Sequence, residues 1–236
     1  MLEFLRNKKI MIVVAHPDDE VLGLGGTMNK LIKEFNIKSK VLILGEGITS
    51  RGKDRDLTLW KQELINHKRN ILDSGKKIGY NNIKTYDLPD NRFDTVPLLD
   101  IIKIIETEKK EFKPEVIFTH HGGDLNIDHR LVFESVITSS RPVKNEITKA
   151  IITFETPSGT EWIPSSKENN FRPNFFVSLD LNNIKSKIKA IESYEYEKRD
   201  YPHPRSSKAL LNLSERWGIV NGVNYAEAFQ IIRINL

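Results

Sequence analysis

Short apolar runs alternate with amphipathic stretches along the first two thirds of the chain. The run at 10–15 is unalternating and rich in β-branched residues, which indicates a strand buried on both faces. Similar runs predict strands at 40–45, 83–88, 115–120 and 150–155. Apolar positions at helical spacing predict helices at 20–35, about 54–78, 97–112 and 128–140. Strands that alternate with helices predict an α/β fold with a doubly wound, mainly parallel sheet.

The pattern changes after residue 155, where the chain becomes rich in Pro, Ser, Asn and Gly. This part predicts a loop, a strand, a helix and then further helical segments, the first three at 156–174, 175–180 and 183–199. No independent apolar core is visible in it. We therefore expect one Rossmann-like domain over 1–236, with a core of about 1–155 and a C-terminal extension of helices and loops over about 156–236.

Composition narrows the chemistry that this fold can perform. The chain has 236 residues, a formal net charge of +4 and no cysteine, so any metal must be bound by His, Asp or Glu. The small basic excess forms no dense basic stripe; it is compatible with an anionic substrate and gives no indication of nucleic-acid binding. No apolar stretch reaches the ~20 residues of a membrane span, and we expect a cytoplasmic location.

Acidic residues are concentrated directly after the first predicted strand, in the sequence "VVAHPDDEVLGLGG". This loop contains His16, Asp18, Asp19 and Glu20. It lies at the carboxyl edge of the sheet, where ligands bind in doubly wound folds. Helix capping explains one or two carboxylates but neither the histidine nor three acids in succession. The glycines that follow lack the spacing of a dinucleotide-binding loop, and the acids before them would repel a pyrophosphate.

A second polar loop follows the fourth predicted strand, in the sequence "THHGGDLNIDHRLVFESV". It contains His120, His121, Asp124, Asp128 and His129. A His and a carboxylate from the first loop, with a His from the second, would form the three-ligand set of a catalytic zinc site; iron, manganese and cobalt are compatible with it. A carboxylate that is not coordinated must then accept the proton of the attacking water, and Asp18 and Asp19 can divide these roles.

The two motifs together resemble those of the LmbE-like (PIG-L) N-acetylglucosaminyl deacetylases. The resemblance rests on "AHPDDE" and "DLNIDHR", extends through "LGEGITSRG" and "LPDNRFD", and covers about the first 155 residues. It implies a zinc site formed by His16, Asp19 and His129, with Asp18 as the general base. It also implies that Asp128 orients an imidazole from behind. Family members are often oligomeric, so we expect a homo-oligomer.

Further positions are candidates for contacts with the substrate. They are Glu46, Arg51, Asp90, His120, His121, His203 and Arg205. By the resemblance, Asp90 contacts sugar hydroxyls, and Glu46 and Arg51 lie in a loop that lines the pocket. His203 and Arg205 lie in a loop between two predicted helices and would reach over the pocket. For His120 and His121, the alternative is a surface or hydrogen-bonded loop histidine outside the site.

The chain departs from the family pattern at two positions. Asn126 stands where many members have a histidine that stabilises the oxyanion; its amide can donate a hydrogen bond but cannot act as an acid. Protonation of the leaving amine therefore falls to Asp18 or to one of the candidate histidines. Some members have a substrate-binding arginine in the helix after the second strand, and His67 aligns best with it.

The expected function is metal-assisted hydrolysis of the N-acetyl group of an N-acetylglucosamine-like sugar, with release of acetate and the free amine. Arginines in or near the loops suit a phosphate- or nucleotide-linked sugar, although each one is also explained as a surface charge; they are Arg51, Arg55, Arg92 and Arg205. The alternatives are a metal-dependent amidase on another amide conjugate and a non-catalytic sugar-binding domain. Asp18 argues against the latter, since binding alone needs no general base.

Overall fold

The computed structural model describes residues 2–166 and 169–235. The strands are β1 (Lys9–Val14), β2 (Lys38–Gly45), β3 (Ile83–Leu88), β4 (Val116–His120), β5 (Ala150–Phe154), β6 (Phe175–Leu179) and β7 (Tyr225–Ile234). The helices are α1 (Leu2–Leu5), α2 (Asp19–Leu22), α3 (Gly25–Glu34), α4 (Lys61–Ile78), α5 (Leu98–Phe112), α6 (Ile127–Ser139), α7 (Leu181–Ile191) and α8 (Ser207–Asn221). Across these described ranges, no helix is both long and apolar enough to cross a bilayer.

All seven strands form one sheet, in the order β3-β2-β1-β4-β5-β7-β6. The first five strands are parallel, and β7 pairs antiparallel with both β5 and β6. The predicted doubly wound, mainly parallel α/β fold is confirmed. The strand order reverses between β1 and β4, and ligands bind at the carboxyl ends of the strands beside such a switch point. Both polar loops of the sequence begin there.

Two separate apolar clusters bury the faces of the sheet. Ile10, Ile12 and Val14 of β1 pack with α2, α3, α4 and α7 on one face, and Met11 and Val13 pack with α5 and α6 on the other. All five side chains are fully buried. This explains the unalternating apolar run, because a central parallel strand has no face in contact with water.

The segment 20–35, predicted as one helix, forms the two helices α2 and α3. The break follows from close packing: a Cβ atom at Gly23 would lie only 2.1 Å from Cδ2 of Phe154 on β5. A Cβ atom at Gly26 would lie 2.7 Å from Cδ1 of Leu179 on β6. The glycines of the first loop therefore allow the helices to approach the sheet, which is the packing role that small residues commonly have there.

Two further helix boundaries differ from the prediction. α4 begins at Lys61 instead of about 54, because the side chain of Asp56 accepts hydrogen bonds from the amides of Thr58 (2.9 Å) and Leu59 (3.0 Å) and forms a turn there. α7 ends at Ile191 instead of 199. The chain then turns so that the ring of Tyr194 is fully buried next to the first polar loop.

The prediction that helical segments close the chain is correct for α8 and wrong for 225–234, which form β7. The sequence "YAEAF" favours a helix locally, but pairing on both sides with β5 and β6 overrides that propensity. Glu227 of β7 accepts hydrogen bonds from the amides of Gly26 (3.1 Å) and Thr27 (2.7 Å), at the start of α3, and from Nζ of Lys187 (2.6 Å). The C-terminal part therefore completes the sheet and holds a helix of the core.

Candidate active site

The two polar loops meet at the carboxyl ends of β1 and β4. Oδ2 of Asp19 lies 3.5 Å from Nδ1 of His16 and 3.4 Å from Nε2 of His129. The ligand atoms of these three residues all lie within 4.8 Å of one another. Oδ1 of Asp19 and Nε2 of His129 are buried and have no hydrogen-bond partner among the described residues. Two orphaned ligand atoms in a His/His/Asp cluster fit a divalent metal ion.

Two more carboxylates hold the histidines of this cluster from behind. Oδ2 of Asp128 lies 2.9 Å from Nε2 of His16, while Oδ1 of Asp128 accepts the amide of Phe93 at 3.0 Å. Oδ1 of Asp124 lies 3.1 Å from Nδ1 of His129. A carboxylate on the distal nitrogen of each imidazole fixes its orientation and raises its basicity as a ligand. The sequence indicated only that Asp124 lies in the second loop; it did not indicate the contact with His129.

Opposite charges dominate the electrostatics of the cluster. Burial opposes the charged forms, but His129 holds the pKa of Asp19 well below its usual range. Against the same burial, Asp19 and Asp124 raise the pKa of His129 to about 9. The site is therefore arranged to bind positive charge next to Asp19, and a metal ion would compete there with the proton on His129.

Asp18 lines the cleft that adjoins the cluster, together with His16. Its backbone has φ 110°, an uncommon conformation for a residue with a side chain, and its amide donates to Oε2 of Glu20 at 3.0 Å. Its carboxylate is almost fully buried and accepts a hydrogen bond from Nη1 of Arg205 at 2.8 Å. Burial raises the pKa of Asp18 well above its usual range, although Arg205 opposes this. Such a carboxylate suits proton transfer.

Glu20 lies behind Asp18 and outside the lining of the cleft. Its Oε1 accepts the hydroxyl of Tyr194 at 2.5 Å, and its backbone carbonyl accepts the hydroxyl of Tyr80 at 3.0 Å. Burial raises the pKa of this carboxyl to about 7, although the hydrogen bond from Tyr194 opposes the shift. Glu20 thus connects the first loop to the C-terminal part and holds the strained backbone of Asp18.

The cleft has a volume of about 240 Å³ and opens beside the metal cluster. Seven of the candidate residues from the sequence line it: His16, Asp18, Arg51, Asp90, Asn126, His203 and Arg205. His67, which aligns with a substrate-binding position, lines it too. Five further polar residues of the lining were not singled out from the sequence: Ser50, Asn91, Ser158, Glu197 and Arg199. Asn91 and Ser50 adjoin named candidates in sequence, whereas nothing in the sequence indicated Ser158, Glu197 or Arg199.

Three of the candidate substrate contacts, Glu46, His120 and His121, lie outside the lining of the cleft. Glu46 forms a bidentate ion pair with Arg55, with both N···O distances at 2.8 Å. His120 is fully buried; its Nε2 accepts the amide of Ala15 at 3.0 Å and its Nδ1 lies 3.1 Å from Oγ1 of Thr156. Burial lowers the pKa of His120 to about 3, and its ring stacks on that of His129 with centroids 3.9 Å apart. His120 is therefore a neutral packing partner of His129.

His121 also points away from the cleft. Its Nε2 lies 2.9 Å from the backbone oxygen of Asn169, and its ring contacts Phe171 edge-on. Among the arginines, Arg92 lies on the surface, where its Nη2 donates to the backbone oxygen of Lys53 at 3.2 Å. Of the two adjacent histidines in the sequence, one packs under the metal cluster and the other fixes a distant loop.

A polar network covers the side of the cleft near the metal cluster. Oδ2 of Asp90 accepts the amide (3.0 Å) and hydroxyl (2.6 Å) of Ser50, and its Oδ1 lies 3.5 Å from Nε2 of His16. Asn126 caps α6 by accepting the amide of Asp128 at 2.9 Å and donates through Nδ2 to Oδ1 of Asn91 at 2.8 Å. These groups present donors and acceptors at close spacing, as a sugar-binding surface does.

The fold and the site together define a class of protein. A doubly wound α/β sheet with a His/Asp cluster at its switch point, next to a carboxylate that faces a polar cleft, is the arrangement of a metal-dependent hydrolase. The family model described as PIG-L, GlcNAc-PI de-N-acetylase, matches residues 11–139. The chain belongs to the PIG-L family, and is accordingly an enzyme of the deacetylase class.

Individual relatives extend beyond the matched region. "Uncharacterized deacetylase YaiS" of Escherichia coli (strain K12) is 26% identical over 196 residues, which cover 80% of this chain and 92% of that protein. The N,N'-diacetylchitobiose deacetylase from Pyrococcus horikoshii has 21% identity and a TM-score of 0.73 over 98% of this chain and 88% of that one. GalB, the 4-carboxy-2-hydroxymuconate hydratase of Pseudomonas putida KT2440, has 18% identity and a TM-score of 0.70 over 97% and 98%. One fold thus hosts different reactions, and the reaction must be argued from the site.

Proposed function

We propose that this chain catalyses the zinc-dependent hydrolysis of the N-acetyl group of an N-acetylglucosamine-like sugar, with release of acetate and the free amine. The division between two adjacent carboxylates supports this most directly. Asp19 is turned toward His16 and His129, whereas Asp18 lines the cleft and pairs with Arg205. A hydrolase of this type needs one carboxylate as a metal ligand and another that is free to move a proton.

The residues of the chain then have distinct tasks. When bound, the metal ion supplies Lewis acidity and lowers the pKa of the attacking water. Asp18 accepts the proton of that water at a carboxylate oxygen and donates it to the nitrogen of the leaving amine. Asp128 keeps the ring of His16 in place, and Asn126, which lines the cleft, donates to the oxygen on which negative charge develops. Zinc suits the two imidazoles and one carboxylate; iron, manganese and cobalt remain compatible.

The ring of His67, which also lines the cleft, suits neutral hydroxyl groups. The ring of His67 is 2% exposed, and within the described ranges neither of its nitrogens forms a hydrogen bond. Burial lowers its pKa to about 4, although the backbone of Glu46 opposes this, so the ring is neutral at pH 7. A neutral imidazole offers one donor and one acceptor, as a hydroxyl does. We therefore assign His67 and Asp90 to sugar hydroxyls.

The group attached to the sugar is a finer part of the proposal. Arg51 and Arg199 line the cleft with side chains 35% and 37% exposed, and both retain N–H groups for an anion. They support a phosphate- or nucleotide-linked sugar. The cytoplasmic location and the homo-oligomer expected from the sequence stay predictions.

The test separates the two aspartates. Asp18→Ala should abolish acetate release while the protein keeps its metal, whereas His129→Ala should lose the metal. Acetate release would be measured on a panel of N-acetyl sugars, free, phosphorylated and nucleotide-linked, with and without a chelator, and metal content by elemental analysis. Equal metal loss in both variants would contradict the division of roles. Metal-loaded protein that releases no acetate from any member of the panel would contradict the proposed function, and cleavage of other amides instead would favour the amidase.

A further inference from the structure

The carboxylate of Asp18 depends on one side chain from the far end of the sequence. Oδ2 of Asp18 accepts Nη1 of Arg205 at 2.8 Å, and among the described residues no other side chain bonds to this carboxylate. Asp18 is the N-cap residue of α2, but its side chain does not form the hydrogen bond to the helix that an N-cap usually makes. Arg205 lies outside residues 11–139, which the family model matches. A group central to the proposed chemistry is therefore held by a part of the chain that the family model does not cover.

Arg205 is itself fixed by several contacts. Its Nε donates to Oγ of Ser158 at 2.7 Å and lies 3.3 Å from the backbone oxygen of Pro157. Its Nη1 lies 3.4 Å from Oε2 of Glu197, and Glu197 in turn pairs with Arg51 from the loop after β2. The side chain of Arg205 is only 20% exposed. A planar guanidinium held at two edges keeps a single orientation, in contrast to a lysine ammonium on a flexible stem.

We propose that Arg205 is a positioning residue, which fixes the carboxylate of Asp18 in the orientation needed for proton transfer, and that Ser158 and Glu197 hold Arg205 for this purpose. The proposal rests on the proposed function only through the role of Asp18 as the general base. It differs from the sequence expectation, in which Arg205 binds substrate. A general base must lie within hydrogen-bond reach of the proton that it takes, and a displacement of 1 Å at a reacting group can cost about 10²-fold in rate.

The main experiment removes the guanidinium and then returns it from solution. Arg205→Ala should lower kcat about 10²-fold, with KM changed less than about 3-fold and the metal retained. Millimolar guanidinium chloride should restore part of kcat, whereas the same concentration of sodium chloride should not. Arg205→Lys should stay impaired, because an ammonium on a flexible stem lacks the fixed planar spacing of Nε and Nη1 with which Arg205 holds Ser158 and Asp18. Lys198→Gln, which removes the same charge from an exposed side chain near Glu197, is the matched control and should leave kcat unchanged.

A raised KM with unchanged kcat in Arg205→Ala would overturn the proposal in favour of substrate binding. Failure of guanidinium to rescue a folded, metal-loaded Arg205→Ala would also overturn it. If that variant does not fold, Glu197→Gln and Ser158→Ala decide instead: each should lower kcat about 3- to 10-fold with KM unchanged, because each loosens one edge of the guanidinium. Unchanged kcat in both would count against the proposal.

Two readouts keep this proposal distinct from the proposed function. If Asp18→Ala still releases acetate, the general base is misassigned and both fail. If Asp18→Ala is inactive while kcat of Arg205→Ala equals that of the wild type, only the positioning role fails. A crystal structure of Arg205→Ala is independent of any substrate: we expect the carboxylate of Asp18 to take a new orientation, and an unchanged orientation would refute the proposal.

Discussion

Two regions build this site in different ways. The metal-binding loops, at 15–19 and 121–129, are short, follow β1 and β4 directly, and bury their acids completely: Asp19 and Asp128 are both 0% exposed. The C-terminal wall, formed by Ser158, Glu197, Arg199, His203 and Arg205, reaches the cleft with long side chains that remain partly exposed. In our proposals, the buried loops hold the metal at the sheet edge, and the wall holds the general base and shapes the cleft. The two loops lie within residues 11–139, which the family model matches, whereas the wall lies beyond them.

The largest expected effect is in the metal-binding loops. His129→Ala removes an imidazole that lies next to Asp19, and we expect loss of the metal and at least a ~10³-fold fall in kcat/KM, since the Lewis acid accounts for several kcal/mol of the barrier. His121→Ala is the matched histidine control, because His121 bonds to the backbone of Asn169 instead, and it should keep the metal. Metal content and acetate release measure both. A His129→Ala protein with a full complement of metal would show that the cluster is not the binding site.

A smaller loss of metal affinity is expected from Asp128, which contacts the imidazole of His16. Asp128→Asn keeps the shape of the side chain but removes the charge next to Nε2 of His16, at 2.9 Å. We expect metal affinity to fall about 10- to 100-fold with the fold intact. Competition with a fluorescent chelator measures the affinity. Unchanged affinity would mean that the amide of Phe93, which also bonds to Asp128, is the partner that matters.

The same separation explains what the sequence could predict. Asp18, Asp19 and the second loop were predictable because each motif is contiguous and follows an apolar run, so local pattern and topology together locate it. The pairing of Arg205 with Asp18 joins residues 187 positions apart, and no local pattern encodes it. The sequence identified both residues as candidates for the site, but it did not predict that they pair with each other.

Histidines show a second limit of sequence reasoning. His120 and His121 are adjacent and chemically identical in sequence, yet the side chains of neighbouring strand-end residues point to opposite sides. One packs on His129 and the other bonds to Asn169. The segment that forms β7 was likewise wrongly predicted to be helical. Strand pairing depends on the tertiary fold, and a short segment that contains Ala and Glu does not reveal it.

The C-terminal part also stabilises the core, and this contribution can be measured. Glu227 pairs with Lys187 and caps α3, and both side chains are about 6% exposed. Glu227→Gln leaves a buried ammonium unpaired, so we expect a loss of about 3–5 kcal/mol in the free energy of unfolding. Denaturant unfolding measures it. The double variant Glu227→Gln/Lys187→Met, which leaves no unpaired charge, should recover part of the loss; an additive further loss would show that the ion pair is not the cause.

The smallest expected effect concerns Glu155, which follows β5 and accepts the indole N–H of Trp217. Burial raises the pKa of this carboxyl to about 7, although Trp217 opposes the shift. The folded protein therefore binds a proton that the unfolded chain, with its ordinary value of 4.5, releases between pH 4.5 and about 7. This contribution to stability is present below pH 4.5 and is lost as pH rises to about 7. Glu155→Gln should remove this pH dependence of the free energy of unfolding. As pH rises from 4.5 to about 7, the wild type should therefore lose on the order of 2 kcal/mol of stability relative to the variant. Parallel curves for the two proteins would show that Glu155 titrates in the fold as it does in the unfolded chain.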